Sequence, residues 1–223
     1  MSARRPTKES ATDWDRYYSA VPTTARLTRR YTTAALIKAI RRFASAGAES
    51  GLKIVELGGA NSCFLDALLG AVQCAQYEIV DTNRYGLSLL QDKVRASRIR
   101  IVLRNEDVLS LRAGPNPDAD VVFSVGLIEH FDREGTHRAV QAHFDLLRAG
   151  GIAIITFPTP TFLYTASRRC IEALGRWQFH DERPLRFAEV YGAAKEQGCL
   201  LYSKILWPLF LTQGLVVVRK LSR

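Results

Sequence analysis

The chain has 223 residues, 47% of them apolar and 24% charged, and carries a net charge of +9 at neutral pH. This is ordinary globular composition, enough for one large domain or one domain with an appended cap, and it excludes collagen-like and low-complexity classes. No uninterrupted apolar run of about 18 residues occurs, which argues against a membrane-spanning helix.

The four cysteines, Cys63, Cys74, Cys170 and Cys199, show no C-x-x-C spacing. Zinc ligation is therefore not expected, and reduced thiols packed as small apolar groups are. The positive charge is concentrated in the two flanks, while the middle of the chain is slightly acidic. Basic flanks suit an anionic substrate, a nucleic acid or a membrane surface, and equally a solvated arginine-rich face.

Residues 1–11 are polar and basic without an apolar segment and read as a disordered tail rather than a signal peptide. Residues 12–50 read as a helical lid. Thr12 or Asp13 caps a segment holding Trp14, Tyr17 and Tyr18, and Pro22 interrupts it. Thr23 or Thr24 then starts a helix that gathers Leu27, Tyr31, Ala34, Ala35, Ile37 and Ile40 on one face.

Residues 51–223 form the main domain. Short apolar runs at 53–57, 77–80, 99–103, 121–125 and 152–157 alternate with helical stretches at 63–71, 86–96 and 136–147. Near-continuous apolar strands separated by helices predict a buried parallel sheet, and right-handed crossovers make it doubly wound. After a helix at 187–197, strands at 199–206 and 211–219 follow with no helix between them, so they pair antiparallel. The predicted fold is α/β: a Rossmann-like, doubly wound, mostly parallel seven-stranded sheet with an antiparallel last strand, N-terminal helices and a cap insertion at 158–184. The cap has a helical centre at 164–174 and leaves the sheet at the carboxyl end of a strand, where open α/β sheets bind ligands.

The stretch Ile54 to Leu65 is a strand ending after an acid, a small-residue turn and a helix start. Such a loop admits a ligand close to backbone N–H groups at a helix N-terminus. A dinucleotide fingerprint needs G-x-G-x-x-G, whereas the chain has Gly58, Ala60 and Cys63, which supports NAD only weakly. No Gly-Lys-Ser/Thr follows, so it is not a P-loop.

Glu56-Leu57-Gly58-Gly59-Ala60-Asn61-Ser62 instead resembles the first motif of the class I S-adenosylmethionine-dependent methyltransferases, in their small-molecule branch. Ala60 and Ser62 stand where that family usually has glycines. Either Asn61 takes the unusual backbone angle in this loop or donor binding is weakened. Asp81, at the end of the second strand, matches the acid that accepts bonds from both ribose hydroxyls, and Thr82 and Asn83 follow it. Asp107 and Val108, after the third strand, match the positions beside the adenine. Ser124-Val125-Gly126-Leu127-Ile128-Glu129-His130-Phe131 continues the fourth strand as in that branch, and Leu147-Arg148-Ala149-Gly150-Gly151 matches the turn before strand five. The resemblance is close over residues 52–157 and at fold level over 185–219.

This resemblance implies S-adenosyl-L-methionine as the methyl donor, held by Glu56, Gly58 to Ser62, Asp81 to Asn83, Asp107, Val108 and Ser124 to Gly126, with no metal. His130, just past strand four, is the candidate base. Trp14, Tyr17, Tyr18, Tyr164, Arg168 and His180 are candidate acceptor-pocket residues, the first three also candidates for a lid over the donor. An Asn/Asp-Pro-Pro-Tyr/Phe tetrapeptide is missing after strand four, which disfavours nucleobase amines. Expected acceptors are small molecules, glycans or lipids, including anionic ones. An RNA-modifying methyltransferase and a non-catalytic donor-binding partner protein remain the alternatives. The expected location is the cytoplasm, including the surface of a membrane.

Overall fold

The computed structural model describes residues 12–19, 25–45, 51–112, 114, 117–206 and 212–222. The expected tail at 1–11, the Pro22 interruption and the Thr23 or Thr24 helix start lie outside the described residues.

The apolar strand runs pair into one seven-stranded sheet. β1 (Leu52–Leu57) lies between β2 (Cys74–Asp81) and β4 (Ala119–Val125), parallel to both. β3 (Arg100–Asn105) extends the sheet beyond β2, and β5 (Leu147–Pro158) lies beyond β4. β7 (Gln213–Lys220) runs antiparallel to β5 and to β6 (Gly198–Leu206), giving the order β3-β2-β1-β4-β5-β7-β6. The order reverses between β1 and β4, which opens a crevice at their carboxyl ends.

Successive strand residues point to opposite faces, so each face needs its own helical cover. Ile54, Phe123, Ile154 and Val217 pack with α2 (Ala25–Phe43) and α3 (Leu65–Ala71) through Leu36, Ile40, Leu65 and Leu68. Val55, Val122, Ile155 and Val216 pack with α6 (Arg133–Leu146) and α8 (Phe187–Ala194) through Ala139, Val140, Val190 and Ala194. A fully buried side chain of this kind contributes about 1.5–3 kcal/mol, which is why the sheet is the rigid part of the molecule.

Two local departures from the sequence reading have clear causes. The helix expected over 86–96 is split into α4 (Arg84–Ser88) and α5 (Gln91–Ala96). Asn83 caps α4 by accepting from the Gly86 N–H, and this starts the helix early. The turn expected at Leu147 to Gly151 occurs within the span of β5. Ala119 pairs with Leu147, Gly150 turns with φ 74°, and pairing resumes at Val121 with Ile152. Arg148 pins this bulge by donating to Asp120 at 2.6 Å.

Candidate active site

The crevice is built first from the β1–α3 loop. Gly58 has φ 71° and a Cβ there would meet Leu127, so the tight turn out of β1 requires glycine. Asn61 has φ 52°, alone among the described non-glycine residues in the left-handed region, one that asparagine tolerates.

Glu56 lies buried beneath this loop, 3% exposed. Its Oε2 accepts from the Ser62 hydroxyl at 2.7 Å and from the Tyr77 hydroxyl at 2.8 Å. Ser62 Oγ also accepts from the Phe64 and Leu65 N–H groups, both at 3.2 Å, and so serves the open N-terminus of α3. Ser62 thus joins the loop to the acid under it. Burial pushes the Glu56 carboxyl up to about 7, against the two hydroxyl bonds that favour its charge. Gly59 is pressed onto the same acid; a Cβ there would lie 2.7 Å from Glu56 Cδ.

Asp81, at the end of β2, accepts from the Ala60 N–H at 2.9 Å through one oxygen and from the Asn83 N–H at 2.8 Å through the other. Burial pushes this carboxyl above its usual value, against those backbone bonds. The Thr82 N–H also favours the charged carboxylate, whose two oxygens offer four lone pairs in all. Asp107 follows β3 and accepts from the Leu109 N–H at 2.9 Å, with Val108 buried in the core beside it. Thr82 is exposed. Ser124 is turned away from the crevice: its hydroxyl bonds Nε2 of buried His143 at 3.0 Å. Burial pulls His143 down to about 4, so it stays neutral and accepts from Ser124. What Ser124 offers the crevice is therefore backbone. Gly126, just past β4, has φ 69°.

α1 (Trp14–Ser19) lies across the crevice. Asp15 accepts from Asn83 Nδ2 at 2.6 Å, Arg29 of α2 donates to the Tyr17 hydroxyl at 3.2 Å, and the Tyr18 ring covers Gly86. A Cβ on Gly86 would meet both Tyr18 and Ala60, so the glycine keeps this cradle open. Burial, followed by the charge of Asp81, keeps the Tyr18 hydroxyl protonated.

His130 ends a short 3₁₀ turn, Ile128–His130. Its Nδ1 lies 2.9 Å from Asp181 of the insertion, and the Thr12 hydroxyl donates to the same carboxylate oxygen. Burial works against a charged imidazole, but the Asp181 bond and the charges of Glu129, Asp181 and Glu182 outweigh it and hold His130 above its usual value. Burial opposes ionisation of Asp181 too, and the His130 and Thr12 bonds overcome it, bringing that carboxyl to about 2. Trp14 meets the imidazole edge-on at a 5.0 Å ring separation, and Phe179 lies 6.1 Å away.

The insertion is organised around Arg168 on α7 (Phe162–Ala173). Its guanidinium stacks 4.9 Å from the Trp177 ring and donates to the Glu182 carbonyl at 3.0 Å. The Tyr164 hydroxyl donates to the Glu182 carboxylate. Of the candidate acceptor residues, Trp14, Tyr17 and Tyr18 come together with His130, Tyr164 and Arg168 support the segment behind it, and the His180 side chain is exposed. Sequence reasoning passed over Asp181, Glu182, Phe179 and Glu129. Asp181 and Glu182 adjoin His180, and acids next to a singled-out histidine were the available signal. Among the described residues no cluster of ligating side chains could hold a metal ion, and no helix is long and apolar enough to cross a membrane.

The "Methyltransferase domain" family matches residues 54–151, the segment that carries the loop, Asp81, Asp107 and His130. Solved structures extend the likeness to nearly the whole chain. Magnesium protoporphyrin IX methyltransferase from Synechocystis, with bound SAH, has a TM-score of 0.70 at 13% identity, over 93% of this chain and 92% of that one. N-methyltransferase NodS from Bradyrhizobium japonicum, in complex with S-adenosyl-L-homocysteine, has a TM-score of 0.64 at 15% identity, over 96% and 95%. The 1,6-didemethyltoxoflavin-N1-methyltransferase from Burkholderia thailandensis, with bound 1,6-didemethyltoxoflavin and S-adenosylhomocysteine, has a TM-score of 0.69 at 12% identity, over 94% and 86%. No curated protein matches by sequence. The fold is that of the Rossmann-like methyltransferases. Residues 54–151 match a methyltransferase domain, and the chain shares its Rossmann-like fold with solved S-adenosylmethionine-dependent methyltransferases.

Proposed function

We propose that the crevice between β1 and β4 binds S-adenosyl-L-methionine and delivers its methyl group to a small-molecule, glycan or lipid acceptor held under α1 and the insertion at 158–184. The carrying observation is the convergence of Glu56, Asp81 and Asp107 at the carboxyl ends of neighbouring strands, around a loop that brings its backbone close to Asp81.

The donor supplies an electrophilic methyl group on a sulfonium. In this reading Asp81 takes the ribose hydroxyls on its outer lone pairs, because a carboxylate offers two oxygens to two adjacent donors. Asp107 and Val108 line the adenine end. Glu56 fixes the loop from below through Ser62 rather than meeting the ligand itself. Trp14, Tyr17 and Tyr18 exclude water, and an in-line displacement then depends on alignment of acceptor and donor. His130, oriented through Nδ1 by Asp181, leaves Nε2 for proton exchange with the acceptor near neutral pH.

Small-molecule acceptors are favoured by the enclosed aromatic surroundings of His130, and the relatives named above that carry a bound acceptor or a named one act on small molecules. Calorimetry with S-adenosylhomocysteine tests the donor site. Asp81→Ala is expected to weaken binding by at least about tenfold, the equivalent of one lost charge-assisted hydrogen bond. Unchanged affinity in a folded variant would refute the donor assignment.

A further inference from the structure

Glu129 stands out among the buried polar groups. Its side chain is 2% exposed, and its Oε2 has no hydrogen-bond partner, although buried polar atoms are nearly always paired. It adjoins Gly126 at the crevice: Oε1 lies 3.4 Å from where a Gly126 Cβ would be, burial pushes its carboxyl up to about 7, and the charged groups acting on it are His130, Asp181 and Glu182. The charges around His130 do not balance. Asp181 is matched by His130, and Glu182 by Arg168 and the Tyr164 hydroxyl. Among the described residues Glu129 has no ion-pair partner of its own.

We infer that the acceptor group is an amine, carried into the site as a cation that takes the open oxygen of Glu129 among the rings of Trp14, Tyr17 and Phe179. This rests on the methyltransferase reading above and narrows its acceptor class. The rings close on one another at centroid separations of 5.3–6.1 Å, and aromatic faces attract ammonium groups. The insertion's acids replace the anionic acceptor that the basic flanks suggest, because the field at the reacting atoms is local.

The chemistry favours nitrogen for a second reason. The incoming ammonium gives one proton to Nε2 of a neutral His130, whose cation Asp181 then stabilises through Nδ1, and Glu129 stays ionised. The amine's freed lone pair forms the nitrogen–carbon bond as the carbon–sulfur bond breaks and that pair returns to sulfur. The positive charge moves from sulfur to the deprotonated nitrogen, so a carboxylate there is worth more in the transition state than beside the neutral amine that attacks. A hydroxyl acceptor ends neutral and leaves Glu129 as it found it.

The test uses the whole chain, methyl-labelled S-adenosylmethionine and the small-molecule fraction of a cell extract, split by ion exchange into cationic, neutral and anionic pools. Label is expected in the cationic pool. Glu129→Gln, which keeps the shape, is expected to cut that labelling about a hundredfold, while S-adenosylhomocysteine affinity by calorimetry stays within about threefold. Label confined to the neutral or anionic pools overturns the inference, as does no label in any pool from a chain that binds S-adenosylhomocysteine. So does a folded Glu129→Gln that labels amines as well as the native chain. If Glu129→Gln does not fold, the pool labelled by the native chain alone decides. A native chain that fails to bind S-adenosylhomocysteine refutes the donor-site reading instead.

Discussion

Ser62→Ala isolates the hydroxyl that ties the ligand loop to the acid beneath it. The hydroxyl accepts from Phe64 and Leu65 and donates to Glu56. Losing the first role resembles losing a helix cap, about 1 kcal/mol. Losing the second removes a hydrogen bond to a carboxyl, about 1.5–3 kcal/mol when the acceptor is charged and nearer 1 when it is neutral. The sum is about 2 kcal/mol with Glu56 protonated and about 3 with it ionised.

The pH dependence has a definite sign. The folded chain keeps the Glu56 proton to about pH 7, whereas the usual value is 4.5. Between those values the folded state binds more protons than the unfolded one, so this group's contribution to stability falls as pH rises through the window. The Ser62 bond favours the ionised form, and removing it raises the folded value further and steepens the fall. Urea denaturation at pH 5 and pH 8 measures both parts. Ser62→Ala is expected to cost more at pH 8, by about 1 kcal/mol, or an extra 2–4 °C of melting temperature for a chain of this size. Equal losses at the two pH values would refute the coupling between loop and acid.

Three further outcomes follow from the same geometry. Gly59→Ala drives a methyl into Glu56 and Ile79, and is expected to weaken S-adenosylhomocysteine binding tenfold or more with about 1–3 kcal/mol lost stability, by calorimetry and denaturation. Asn61→Val puts a β-branched residue at φ 52° and is expected to destabilise by at least about 1–2 kcal/mol, whereas Asn61→Gly is tolerated. Asp181→Asn removes the charge, and weakens the bond, that hold His130 up against burial. The His130 pKa then drops, and the limb of the pH–rate profile that reports it moves to lower pH; an unmoved limb removes His130 from proton exchange.

Much of the fold is legible locally. Alternating apolar runs and helical stretches give the parallel sheet, and the 199–206 and 211–219 runs without an intervening helix give the antiparallel end. The split of α4 from α5 was hidden because Leu87, Leu90 and Val94 keep one helical period across it. Within the site, Glu56, Asp81 and Asp107 could be picked out because each follows or ends a strand. Asp181 could not, because it lies 51 residues from its partner His130 in a segment without period.

The sequence by itself determines the class. Strand ends, turn glycines and their order are local properties, and they specify a doubly wound sheet with a ligand loop after β1. It also offers Asn61 as one residue to take the unusual backbone angle of that loop, and the structure places it there at φ 52°. Tertiary structure alone decides what surrounds the reacting atoms. It brings Thr12, His130 and Asp181 together from three distant segments, turns Ser124 toward His143, and leaves Glu129 buried with an open oxygen. Net charge is a sum over the whole chain, whereas the field at a site depends on a few groups within several ångströms, in a medium that screens them poorly. That is why a chain of charge +9 surrounds its candidate acceptor site with acids.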